Sequence, residues 1–147
     1  MKRHTILCVI LMISLLPIGA YAGEAAHELG VCLSDSLTGK ERKTLARWIF
    51  IGMAAHPEMS PYTDVPDQAV DEVDKLVGEL VTRLMTSDCP QQARKAVKDE
   101  GSVAIEYAFG LVGQVAMQEL MMNQEVSQTL GGFEKYLDQQ AIQSLYE

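Results

Sequence analysis

The side chains best suited to chemistry at neutral pH beyond residue 22 are Cys32, Cys89, His27 and His56. A thiolate beside an imidazole makes a nucleophile, and two thiols with two imidazoles make a zinc set. The intervals between these four are 5, 24 and 33 residues. They lack the closely paired ligands that zinc sites favour. An even pair of cysteines in an exported chain points instead to a Cys32–Cys89 disulfide. It closes a loop of 58 residues, which the chain-entropy relation values at about 4 kcal/mol. A Cys nucleophile served by His56 is the alternative, at odds with an oxidising compartment. No metal or cofactor is expected.

Carboxylates offer less. Asp71 with Asp74 and Glu72 with Glu79 lie near helical spacing, but on an exposed face such pairs are solubilising charge, and acid–base work needs a perturbing environment. Met117, Met121 and Met122 fill a core or make an adaptable contact surface. The strongest candidate is the segment 56–66, HPEMSPYTDVP, which holds three of the four prolines beyond residue 22. Proline lowers the entropy lost on ordering, and Tyr62 is an amphipathic anchor of the kind found at interface centres. Glu58, Tyr62 and Asp64, with Asp67 nearby, therefore form the candidate partner-binding set, facing a basic or cation-rimmed target. A plain helix connection is the competing reading of the same residues.

What must position these residues is a single small domain. The chain has 147 residues, 48% of them hydrophobic and 22% charged, within the globular range. Twelve basic against 20 acidic residues argue against nucleic acid and anionic lipid as partners. The start reads as an export signal: Lys2 and Arg3, an apolar run over 6–17, then Ala20-Tyr21-Ala22. Cleavage is expected after Ala22, with residues 1–22 as signal peptide and 23–147 as one helical domain in the periplasm. The apolar run is shorter than the ~20 residues of a bilayer span, and Cys8 lies too early for a lipid anchor, so no stable membrane anchor is expected.

Helical periodicity recurs along the rest of the chain, with no hairpin signal. Helices are expected over 24–34, from the Thr38–Glu41 capping box to His56-Pro57, from Pro66 to about Leu84, and over 91–99, 102–122, 123–130 and 133–146. In the second of these, Leu45, Trp48, Ile49 and Met53 form an apolar face that assigns Trp48 to the core. Lys40, Arg42 and Lys43 crowd its first turn against the helix dipole. The segment 102–122 is apolar on more than one face, as in a central helix. The expectation is an all-α fold, a compact bundle of five to seven helices with one disulfide.

The stretch TGKERKTLARWIFIGMAAHPEMSPY, residues 38–62, with Cys32 and Cys89, resembles a pattern in small exported proteins of Gram-negative bacteria with no assigned activity. In build and address the chain is similar to the periplasmic immunity proteins that block peptidoglycan amidases delivered by type VI secretion. That likeness implies a helical protein, often dimeric, that occludes an enzyme cleft with a protruding loop. No residue motif carries over, so it assigns no site. The expected function is non-enzymatic binding of another exported protein, with a homodimer allowed. A small-ligand carrier with a pocket around Gly52, Gly110 and Gly113 is the alternative, and a hydrolase ranks third.

Overall fold

The structure, a computed structural model, describes residues 23–146. The expected signal segment lies outside the described residues. Within them the chain is all-helical, with seven α-helices and no strand: α1 Glu24–Asp35, α2 Gly39–Ala54, α3 Asp67–Arg83, α4 Pro90–Glu100, α5 Ser102–Met121, α6 Gln124–Gly131 and α7 Gln139–Gln143. Short 3-10 turns occupy Ser60–Tyr62, Gly132–Tyr136 and Ser144–Tyr146, and a π turn extends α3 over Leu84–Asp88.

The central helix is α5, which packs against α1, α2 and α4. The face it buries is made of small residues at every fourth position, Ala104, Ala108, Val112 and Ala116. Small side chains let helix axes approach, and α1 exploits this with Gly30. A Cβ at Gly30 would lie 2.4 Å from Leu111 Cδ1 and 3.2 Å from Ala108 Cα. Bulk is supplied from α1 by Leu29 and Leu33, both fully buried. Of the larger apolar residues of α5, Val103, Tyr107 and Met117 are exposed, while Ile105, Phe109, Val115 and Leu120 pack half-buried against the core.

The disulfide joins α1 to the N-cap of α4: Cys32 and Cys89 have Cα atoms 6.0 Å apart, inside the range a disulfide spans. Cys89 has no exposed surface. This bond consumes both thiols, so the nucleophile and zinc readings of the cysteines fall. The capping box on α2 forms as expected: Thr38 N–H and Oγ1–H each donate to Glu41 Oε2 at 2.8 Å, and Glu41 N–H donates to Thr38 Oγ1. The adverse charge of that first turn is met from outside the helix. Glu119 of α5 forms ion pairs with Arg42 at 3.6 Å and Lys43 at 3.9 Å, and Arg42 donates a hydrogen bond to Leu37 C=O.

Partial burial acts to raise the Glu41 carboxyl pKa, but the Thr38 donors and the Arg83 guanidinium at 2.8 Å outweigh it and hold the group below the usual carboxylate value. A carboxylate whose folded pKa is depressed adds stability above its unfolded pKa and loses it as pH falls through the folded one. The α2 cap therefore weakens only below the ordinary carboxylate range.

Three expectations need correction. The spacing of Val73, Leu76, Val77 and Leu80 predicts one apolar stripe on α3, but Leu76 is exposed, because α3 packs chiefly on α2 alone. The terminal helix over 133–146 is broken: Leu137 is extended, and Asp138 caps a new helix by accepting Gln140 and Ala141 N–H. A weakly amphipathic stretch with no surface to pack on lacks the tertiary support that sustains long helices. Trp48 is 44% exposed and lies outside the core. At about 100° per residue, the inward direction of α2 is set by Leu45, Ala46 and Ile49, and Trp48 falls to its side. Trp48→Ala is thus expected to cost about 1–2 kcal/mol in chemical denaturation, below the ~3–5 kcal/mol of a fully packed tryptophan. Indole emission intermediate between buried and free is the accompanying optical result.

Candidate functional site

Helix α2 ends at Ala54 and α3 begins at Asp67, leaving a connection that carries Glu58, Tyr62 and Asp64. All three side chains are exposed, Tyr62 at 86%. The connection is ordered by its own hydrogen bonds. His56 C=O accepts Met59 N–H at 2.8 Å and Ser60 N–H at 2.9 Å. Glu58 N–H donates to His56 Nδ1 at 3.2 Å, and Tyr62 N–H to Met59 C=O at 2.9 Å. Pro61 sits in the 3-10 turn Ser60–Tyr62, where its missing N–H costs nothing. The segment was expected to be neither helix nor strand, and this single turn is the exception.

The tie to the bundle is Thr63, half-buried, whose hydroxyl lies 3.5 Å from Ala54 C=O. The structure thus places the three predicted residues on one exposed, hydrogen-bonded connection between α2 and α3. It leaves His27 apart, exposed on α1, while His56 has become a structural acceptor in the loop. Asp71, Asp74, Glu72 and Glu79 are all exposed on α3. No group of three or more His, Cys, Asp or Glu side chains suited to a metal occurs among the described residues.

At the root of the loop a groove of about 320 Å³ runs between α2 and α3, walled by Trp48, Ile51, Gly52, Ala55, Val70 and Asp74. Trp48 Nε1–H donates to Asp74 Oδ1 at 2.9 Å across it. This bond satisfies the indole N–H while the side chain stays partly exposed, an amphipathic arrangement of the kind tryptophan shows at interfaces. Trp48 and Asp74 are the pair that reading by periodicity missed. The available signal was the indole N–H itself, a donor that requires an acceptor when half-buried.

Trp48 and Ile49 also border a second, more enclosed crevice of about 210 Å³ between α2, α3 and α5, with Phe109 and Gly113 on its far wall. Gly113 and Gly52 therefore line two different spaces, and Gly110 lines neither, so the expected pocket around all three glycines does not form. Comparison with protein-family models, with curated proteins and with solved structures yields no match to this chain.

Proposed function

We propose that this is an exported, periplasmic, non-enzymatic binding protein of inhibitor or immunity type, which engages another exported protein through the α2–α3 loop. The observation that carries the reading is Tyr62, a large amphipathic side chain held 86% exposed on a segment ordered before any partner arrives. Preordering removes most of the entropy that a flexible loop would lose on binding. Glu58 and Asp64 flank the anchor, so a basic-rimmed cleft is the complementary target, and Trp48 in the adjoining groove extends the contact. The carrier reading has the α2–α3–α5 crevice of about 210 Å³ and the α2–α3 groove of about 320 Å³ behind it, one below and one at the lower end of the ~300–1,000 Å³ of ordinary ligand pockets.

Two features support the address. The disulfide requires an oxidising compartment to persist. The amide nitrogen of Gly23, the residue after the expected cut, lies 3.0 Å from Glu100 Oε2. Cleavage after Ala22 would turn that amide into an ammonium already facing a carboxylate. N-terminal sequencing of the protein from periplasmic extract should begin at Gly23.

The binding test is pull-down from the same extract followed by titration. Changing Glu58, Tyr62 and Asp64 together to alanine should weaken the captured complex by at least ~2 kcal/mol, with the melting temperature held, since none of the three is buried. The association rate should also fall as salt rises. Unchanged affinity in the triple variant would remove the loop from the interface.

A further inference from the structure

Helices α2, α3 and α5 meet unevenly. Helix α2 packs on both of the others, whereas α3 and α5 share no comparable contact. A wedge therefore opens between them, the crevice of about 210 Å³ that borders Trp48 and Ile49. Val77 and Val81 of α3 form one side of it, Phe109 and Gly113 of α5 the other. Gly113 widens the space, since a Cβ built there would meet nothing within 4 Å. Protein interiors seldom hold voids larger than a water, and a water held in one needs about two to four polar partners. Every side chain lining this crevice is apolar, and the one N–H among them, on the Trp48 indole, already donates to Asp74 at 2.9 Å. Apolar spaces of about 150 Å³ admit benzene, so the crevice suits a small ring or a short alkyl group better than it suits water.

Charge at the edge narrows the choice of ligand. Trp48 is a common wall of the crevice and of the α2–α3 groove. Asp74, on the groove side, is the one charged residue lining either space. Its Oδ1 takes the indole N–H, and its Oδ2 has no donor among the described residues. A carboxylate beside an apolar space draws a cation and repels an acid. Because Asp74 is exposed to solvent, screening keeps that preference moderate.

We propose that the crevice is a binding site for a small apolar amine. The ring or alkyl body enters between α3 and α5, and the protonated amine, on a short linker, passes the edge of Trp48 to Asp74 Oδ2. The site is separate from the α2–α3 loop, as Glu58, Tyr62 and Asp64 line neither space. The triple loop variant should therefore bind the amine unchanged, so this inference and the loop reading fail separately.

Trp48 is the one tryptophan of the chain, and its emission reports occupancy. Titration of the purified protein with phenethylamine should shift that emission and saturate with a Kd of about 0.1–1 mM, well inside the per-atom ceiling for so small a ligand. Phenylpropionate, which carries the same ring on an anionic chain, should bind about tenfold more weakly, with neutral phenylethanol between the two. Asp74→Asn keeps an acceptor for the indole and should erase the preference for the amine. Gly113→Leu should abolish binding of all three by filling the crevice, with the melting temperature held or raised because leucine replaces glycine within a helix. Val81→Phe fills the same space from the opposite wall, should leucine at 113 disturb α5. No saturable change in emission up to about 10 mM amine, ten times the top of the expected range, would overturn the proposal. So would equal affinity for the amine and the acid, or binding that survives both filling variants.

Discussion

Changing Cys32 and Cys89 together to alanine is expected to lower stability by about 4 kcal/mol, the largest loss foreseen for any substitution in the bundle. The physical source lies in the unfolded chain. Without the bond, 58 residues spanning α2 and α3 gain the conformational freedom that the closed loop denies them. On the native side the bond fastens α1, which supplies Leu29 and Leu33 to the core, to the start of α4, where Cys89 is wholly buried. For a domain of this size the drop corresponds to a fall in melting temperature on the order of 15 °C. Denaturant titration with and without reductant should give the same difference in the native sequence and none in the double variant. A loss under about 1 kcal/mol, far below the chain-entropy value, would mean that the loop stays constrained in the unfolded state. A thiol assay on denatured, unreduced protein should find neither Cys32 nor Cys89 free.

Glu100→Ala is expected to cost about 2–3 kcal/mol, an unusual amount for a carboxylate that is only part-buried. Its side chain reaches from the last turn of α4 to the first turn of α1. There Oε2 accepts Gly23 N–H at 3.0 Å and Ala26 N–H at 3.2 Å, and Oε1 accepts Ala25 N–H at 3.0 Å. Three of the four donors that a helix start leaves unpaired are thereby satisfied by one charged group. That group also sits at the positive end of the α1 dipole. No N-cap side chain competes, because the N-cap is Gly23, and a Cβ there would lie 2.3 Å from Glu100 Oε1. Glu100→Gln should fall between wild type and alanine, since it keeps one acceptor oxygen and loses the charge. Amide exchange at Ala25 and Ala26 should accelerate in both variants, which separates loss of this cap from a general loosening. An alanine variant as stable as wild type would show that water replaces the carboxylate without penalty.

The two predictions differ in how far the sequence foretold them, and the difference follows from the range of the interactions. The pair Cys32 and Cys89 is a count over the residues beyond position 22, independent of any packing. The Glu100 cap joins residues more than 70 positions apart, and nothing local marks Glu100 off from the acids around it. The α2–α3 connection belongs with the cysteines. Three prolines in 56–66 forbid a helix there whatever surrounds them, so Glu58, Tyr62 and Asp64 had to lie on a connection. Trp48 belongs with Glu100. Its spacing to Leu45 and Ile49 fits a core face, and only the placement of α3, with Asp74 opposite the indole, decided that it would stand at an edge.

What the sequence by itself determined was therefore set by backbone chemistry and short-range periodicity. The all-helical class, the α2 capping box, the interruption at 56–66 and the cysteine pairing all follow from interactions spanning a few residues or from the count of cysteines beyond residue 22. Tertiary structure decided everything that depends on which faces meet. It made α5 central through a fully buried stripe of small residues, Ala104, Ala108, Val112 and Ala116, because the close approach to α1 at Gly30 favours small side chains along that seam. It turned the adverse Arg42 and Lys43 into partners of Glu119. It also left the residues beyond Met121 outside the core, because a short apolar stretch stays helical and buried only when a neighbouring surface is present to cover it, and the bundle closes without them.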